Sequence, residues 1–399
     1  MNGISAESPD DMEKEWLMTL YVLLFCVLLI ILVSVMHQWK LLLLLAFVFV
    51  ASVFALLWYS DLQKKGVAER EIESVHILYG NEKKGLLNDP EFQRILRKKH
   101  GVVIKGNRME RLKLPKEVPY GIDALWPSGG WAALMFRQQH PNLQHKIYNI
   151  FSTPIVFCSW PEVTDILIRQ GVVEKRKNLY FAADMKKLLK MGNQTWESKR
   201  LPQQKGRITV ISADPRGDNA GFLTIGLAAV ALNDGNKVDE KGISRHLPEL
   251  RNICNQMISP EISAYTLFNR YIKQGQGAFP LISVCENQII EFYQTYPKYQ
   301  DKIRKHVRVL LPEPTVLSEH PFIALTEKGE MLLTALQDPD VQKLAWQKYG
   351  FRSGVADIDN DSAILQEIGL SGQIESFTPL PSPEAMEKII EVLEKNDVE

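Results

Sequence analysis

Cysteine is scarce. Four residues in a chain of 399 are too few for a disulfide scaffold. Net charge is absent, because 47 Lys and Arg offset 47 Asp and Glu. That balance excludes the basic footprint of a dedicated nucleic-acid binder. Internal repeats and low-complexity tracts are lacking. Hydrophobic residues make up 45% of the chain and charged residues 24%, which excludes a disordered or collagen-like polymer. The length allows two to three domains at roughly 150 residues each.

Signatures of catalysis and metal binding are missing as well. There is no Gly-x-Ser-x-Gly elbow and no nucleophile with an evident base. Cys-x-x-Cys does not occur, and His140 and His145 are off the i, i+4 spacing of a helical metal pair. Gly80–Gly85 spaces two glycines like a nucleotide loop, but Leu86-Leu87 follow where Lys and Ser/Thr are required. Asp357, Asp359 and Asp361 begin like a calcium loop, yet Ser362 replaces its glycine and Ile368 its glutamate. We therefore expect no cofactor, no metal and no catalytic residue, hence a protein that is not an enzyme.

Two long apolar runs are present. Trp16–Met36 and Leu41–Tyr59 carry no charge, and each matches the ~20 residues that cross a bilayer core. Only His37-Gln38-Trp39-Lys40 separates them, and Trp16, Trp39, Trp58 and Tyr59 sit at their ends. The pattern predicts a transmembrane hairpin within 1–60, spanning 16–36 and 41–59; two buried core helices are the alternative. Acidic residues before the first run fit a cleaved signal peptide poorly. A charged helical linker over 61–73 is expected next.

The remainder alternates strands and helices, which means an α/β fold. Strands are expected at Val75–Tyr79, Gly121–Trp126, Thr153–Phe157, Arg207–Ser212, Phe279–Cys285, Val307–Pro312 and Pro321–Leu325. Asp89-Pro90 and Asp338-Pro339 read as helix starts, with Asp as the cap and Pro in the first turn. Several strand-to-helix turns expose backbone N–H groups, the place where α/β sheets bind ligands. Residues 175–207 are strongly basic, and a solvated face accounts for that.

Six segments carry a family resemblance: Ile77–Lys83, Ser152–Val156, Ala213–Gly221, Glu286–Gln288 as the start of a cleft-facing helix, Glu313–Pro321 as the return crossover, and Asp338–Phe351. Through them the body resembles the bacterial extracellular solute-binding proteins of type 2 periplasmic-binding fold, the receptors of ABC importers. The resemblance implies a two-lobe domain over 74–355. Lobe 1 would be 74–152 with 313–355, lobe 2 would be 153–312, and 356–399 would be a helical extension. It implies capture of a small polar solute by hinged lobes, with an ABC permease or a signalling partner, and no nucleic acid. A membrane-bound sensor, or less readily an enzyme on the same fold, is the alternative. The implied ligand-binding residues are Gly80, Asn81, Glu82, Lys83, Trp126, Ser128, Gly129, Asp214, Arg216, Asp218, Asn219 and Glu286. Asp218 and Ala220 stand where the family's loop carries serines, which puts a simple oxyanion ligand in doubt. Lys14, Lys64, Lys65 and Arg70 against Lys40 favour cytoplasmic tails. A solute receptor needs its body outside, so a multi-pass cell-membrane protein with an extracytoplasmic domain is expected.

Overall fold

The computed structural model describes residues 9–35, 39–68, 72–109, 117–176, 181–199, 201, 206–259, 263–358, 360, 363–370 and 372–394. Asp359 and Asp361 of the calcium-like run, and Lys177, Arg200 and Lys205 of the basic stretch, lie outside them. The chain divides into two compact units, Met1–Glu71 and Ile72–Glu399. The first contains helices Pro9–Val35 and Trp39–Ala68, with Phe25 stacked on Phe49 at 4.3 Å. Among the described residues no helix is long and apolar enough to cross a membrane. This corrects the expected spans 16–36 and 41–59 and the multi-pass membrane placement.

Among the described residues the second unit is built on ten strands. They are β1 (Glu73–Tyr79), β2 (Val102–Arg108), β3 (Ala124–Trp126), β4 (Lys146–Ser159), β5 (Val173–Lys175), β6 (Phe181–Ala183), β7 (Leu281–Cys285), β8 (Arg308–Pro312), β9 (Leu317–Ala324) and β10 (Arg352–Ser353). The main path runs β2-β1-β3-β9-β4-β8-β6-β5, and β7 and β10 also pair with β4. One half of β4 pairs with β9 from Lys146 to Pro154. Its other half, from Ile155 or Phe157 to Ser159, pairs with β7 and β8. A single strand therefore belongs to both halves of the sheet. The chain returns through β8, a cis Glu313–Pro314 bond and β9. The result is a two-lobe, periplasmic-binding-like α/β fold: β1, β2, β3 and β9 build the first lobe, and β5, β6, β7 and β8 the second.

Local chemistry explains the helix starts. The Asp89 carboxylate accepts from the amides of Glu91 and Phe92, and Pro90 opens the helix Pro90–His100. Asp338 and Pro339 do the same for Pro339–Tyr349. The stretch Arg207–Ser212, expected as a strand, makes only isolated bridges: Thr195 with Arg207, Ile211 with Ile282, and Ser212 with Ile258. Helix Asn219–Leu232 is apolar all round and buried over nearly its whole length, as a helix in the middle of a core must be. A side chain at Gly221 would strike the Ala213 carbonyl, so the first turn of this helix lies directly on the preceding loop.

The lobes are joined by a buried ion pair. Arg352 Nε and Nη2 donate to the two Glu286 carboxylate oxygens at 2.6 and 2.8 Å, with side chains 9% and 2% exposed. Nη1 of Arg352 donates to the Gly372 carbonyl at 2.9 Å. From there the C-terminal segment runs along the return crossing. The Thr315 amide donates to Ser376, and the Thr378 amide donates back to Thr315. Leu380 and Pro381 cover Gly226, and helix Pro383–Glu394 packs on helices Glu240–Met257 and Gly130–Gln139.

Removing one partner of a buried pair strands the other charge, at about 3–5 kcal/mol. Arg352→Ala is expected to cost that much in urea unfolding of the full chain, and the double change Arg352→Met/Glu286→Leu to recover most of it. A single-variant loss under about 1 kcal/mol would show that water reaches the Glu286 carboxylate.

Candidate functional site

A cavity of about 580 Å³ opens between the lobes. The first lobe lines it with the turn after β1 (Gly80, Asn81, Glu82, Lys84, Gly85), with Arg108 at the end of β2 and with Ser128. The second lobe contributes Gly217–Ala220, Ser263, Tyr265 and Thr266, and the face Asn287, Gln288, Glu291. His320 comes from β9, the return strand. Three helices of the second lobe begin at this wall: Asn219–Leu232, Ala264–Gln274 and Glu286–Thr295. Their first turns carry the partial positive charge of helix N-termini.

Beneath the first-lobe wall lies a buried charge cluster. Lys83 is fully buried, and its ammonium has three partners: the Glu82 carboxylate, the Pro127 carbonyl at 2.6 Å and His320 Nδ1 at 2.9 Å. Burial pulls the Lys83 pKa down, and Glu82 opposes the pull. Burial works to raise Glu82, but Lys83 and His320 hold its carboxyl well below the usual range. Ser128 Oγ donates to its second oxygen at 2.7 Å. Burial and the Lys83 charge bring His320 down to about 4. His320 is therefore neutral near pH 7. With Nδ1 accepting from Lys83, the ring proton sits on Nε2, which has no partner among the described residues.

On the second-lobe wall, Asp218 accepts from the amides of Ala220, Gly221 and Ala264 at 2.9, 3.2 and 3.0 Å. It caps one helix and ties down the start of a second. Burial nevertheless raises its pKa, against those three donors. Asn219 Nδ2 donates to Ser318 Oγ at 2.7 Å, and Ser318 Oγ to the Ser128 carbonyl at 3.1 Å. Trp131 and Phe222 meet across the lobes at 5.3 Å. Glu291 is half-buried, and burial with the nearby Glu82 charge raises it to about 7.

Of the residues expected at the site, Gly80, Asn81, Glu82, Ser128, Asp218 and Asn219 line the cavity. Gly129 lies beside it, where a Cβ would come 3.0 Å from Asn219 Oδ1. Lys83 sits behind the wall. Trp126 is core, between Phe151 and Phe322 at 5.7 and 5.8 Å, with its indole donating to the His320 carbonyl. Asp214 and Arg216 pair with each other at 2.5–3.0 Å away from the cavity. Glu286 points inward to Arg352.

The cavity also uses Arg108, Tyr265, Glu291 and His320, which carry no expectation from the sequence, and Asn287 and Gln288, which the resemblance places at the start of a cleft-facing helix without assigning them to the ligand. Helical periodicity held the signal for three of them. Glu286 shares a face with Ile289, Ile290 and Tyr293, all buried, whereas Asn287, Gln288 and Glu291 fall together on the other face. His320 carries no such local mark.

No protein-family model matches the chain, and no curated protein matches its sequence. Solved structures do match in shape. An apo ferric ion-binding protein A from Pasteurella haemolytica has a TM-score of 0.55 at 11% identity, over 81% of this chain and 98% of its own. A ferric binding protein from Campylobacter jejuni gives 0.52 at 8%, over 81% and 98%. A Trichodesmium protein in complex with iron and citrate gives 0.50 at 11%, over 81% and 99%. At these identities the likeness establishes the fold: the body of this chain has the two-lobe architecture of solute-binding proteins.

Proposed function

We propose that this chain is a solute-binding protein that captures a small, polar organic solute between its two lobes and delivers it to an ABC importer. The observation that carries this reading is the cavity itself. It is built half from turns of one lobe and half from helix starts of the other, at the point where the chain crosses twice. Crossings of that kind act as a hinge, and a solute that touches both walls favours the closed arrangement over the open one. The shape-related proteins named above, two of them ferric-binding proteins and the third in complex with iron and citrate, support the assignment to solute binding.

Bare ferric iron fits this chain poorly. A hard cation wants several anionic oxygens, and among the described residues no group of three or more His, Cys, Asp and Glu could hold a metal. Glu82 is committed to Lys83 and Ser128, and Asp218 to three amides. The polar side chains around the cavity suit an organic molecule with several hydrogen-bonding groups. Binding without turnover is also the better reading: Cys285, the one thiol on the wall, is pushed well up by burial, so it is no thiolate nucleophile.

Mass spectrometry of the full-length chain, purified and then heat-denatured, should release a stoichiometric small molecule. Calorimetry with that released compound should show at least about tenfold weaker binding for Asn219→Ala and Ser128→Ala, the loss of one or two hydrogen bonds each. Asp218→Ala should instead lower the stability of the solute-free protein by ~0.5–2 kcal/mol as a lost cap. Unchanged affinity in both of the first two variants would remove the cavity from consideration as the binding site.

Glu291 contributes a pH dependence to stability near neutrality. Its folded value, about 7, lies above the ordinary 4.5, so the folded chain holds a proton there that the unfolded chain has lost. Stability therefore falls as pH rises through that interval. Glu291→Gln removes this dependence. In urea unfolding of the solute-free protein, the stability of the variant relative to the unsubstituted chain should rise between pH 5 and pH 8. A flat or falling difference would contradict the burial of this carboxylate.

A further inference from the structure

The polar groups around the cavity divide into the satisfied and the unsatisfied. Glu82 and Asp218 are paired as described, and the Gln288 side chain accepts from the Cys285 amide at 3.0 Å. Arg108 donates to Asn81 Oδ1 at 3.2 Å. Glu291 stands apart: its carboxylate has no hydrogen bond or ion pair among the described residues. Asn287 is 2% exposed, and its amide nitrogen has no partner either. Its backbone N–H is held by Thr153 Oγ1 at 3.1 Å, so the residue is fixed at the junction of the lobes.

These two groups belong together. Asn287 and Glu291 are four residues apart on helix Glu286–Thr295, hence on one face and about 6 Å apart along the axis. Glu291 Oε1 lies close against Gly85 of the first lobe, where a Cβ would collide with it. The groups that face Glu291 are Glu82, Asp218, Tyr265 and Tyr349, with Lys84 and Arg108 exposed on the opposite wall. The Tyr349 hydroxyl is engaged with Asp89, and the Tyr265 hydroxyl with Tyr296. The inner cation, Lys83, is occupied by Glu82. The second-lobe wall thus presents an unpaired carboxylate one helical turn from an unpaired amide donor.

We propose that the solute carries a primary ammonium group, received by the Glu291 carboxylate, beside an oxygen acceptor that meets the Asn287 amide. An ammonium donates three hydrogen bonds and supplies the charge that a half-buried carboxylate lacks. The oxygen, as a carbonyl, carboxylate or hydroxyl, gives the Asn287 amide the acceptor it is missing, and a buried donor left without one is costly. This inference deepens the solute-binding reading and rests on it.

The test uses the full-length chain and the compound it releases on heat denaturation, with the N-acetylated derivative of that compound as the probe of charge. The released compound should contain a primary amine. Acetylation, which removes the positive charge and leaves the rest, should weaken binding in calorimetry by about a hundredfold or more, and Glu291→Gln by at least about tenfold. Asn287→Ala should weaken the unmodified compound and its acetyl derivative by the same factor, since that residue reads the oxygen. Thermal melting without solute checks that each variant is folded. A released compound without an amine, or one whose affinity is unchanged by acetylation or by Glu291→Gln, overturns the ammonium assignment and leaves the solute-binding reading standing. A chain that releases nothing and binds nothing defeats both.

Discussion

A lysine with no exposed surface dictates the centre of this molecule. An ammonium taken out of water needs its three protons satisfied, and Lys83 finds its acceptors on three separate segments: the turn after β1, the loop after β3, and β9. To meet that demand, the three segments must converge at one point. The convergence places Glu82 and Ser128 on the cavity wall and fixes the tautomer of His320. It also brings the Lys83 charge over the Trp126 ring at 5.8 Å, so the core of the first lobe is organised around the same atom. The polar wall and the apolar core behind it are two faces of one constraint.

What could be read from the sequence was what is decided locally. Asp89-Pro90 and Asp338-Pro339 announce their helices because a cap and a first turn involve neighbours only. The alternation of strands and helices gave the α/β class for the same reason. β4 was read over Thr153–Phe157 alone, although it runs Lys146–Ser159. Its first half, Lys146-Ile147-Tyr148-Asn149, is mixed in polarity and becomes a strand through its pairing with β9, with an irregularity at Asn149 and Phe151. Arg207–Ser212 shows the converse: strand-like composition, yet only single bridges. Glu286 was placed on the cleft because it opens a helix there. A turn of the helical wheel puts it with the apolar residues instead, and Arg352 supplies its countercharge. The meeting of Lys83 with His320, 237 positions apart, has no local trace at all.

The fold and the chemistry of the cleft carry separate information. The likeness to ferric-binding structures is a likeness of layers and crossings, and a shared architecture does not transmit a ligand. The side chains on the wall decide that question. Here they are amides, hydroxyls, a neutral imidazole, the exposed cations Lys84 and Arg108, and carboxylates, one of them without a partner among the described residues.

The segment Gly372–Ser382 runs beside the return crossing and bonds to Thr315 from both sides of that residue. Thr315 itself reaches across to the Ile155 carbonyl at 2.7 Å, so the two crossings and the segment form a three-stranded belt at the waist of the domain. Through these bonds the C-terminal helix is fastened to the backbone that links the lobes as well as to the helices it packs on, so the last residues of the domain help to define its waist.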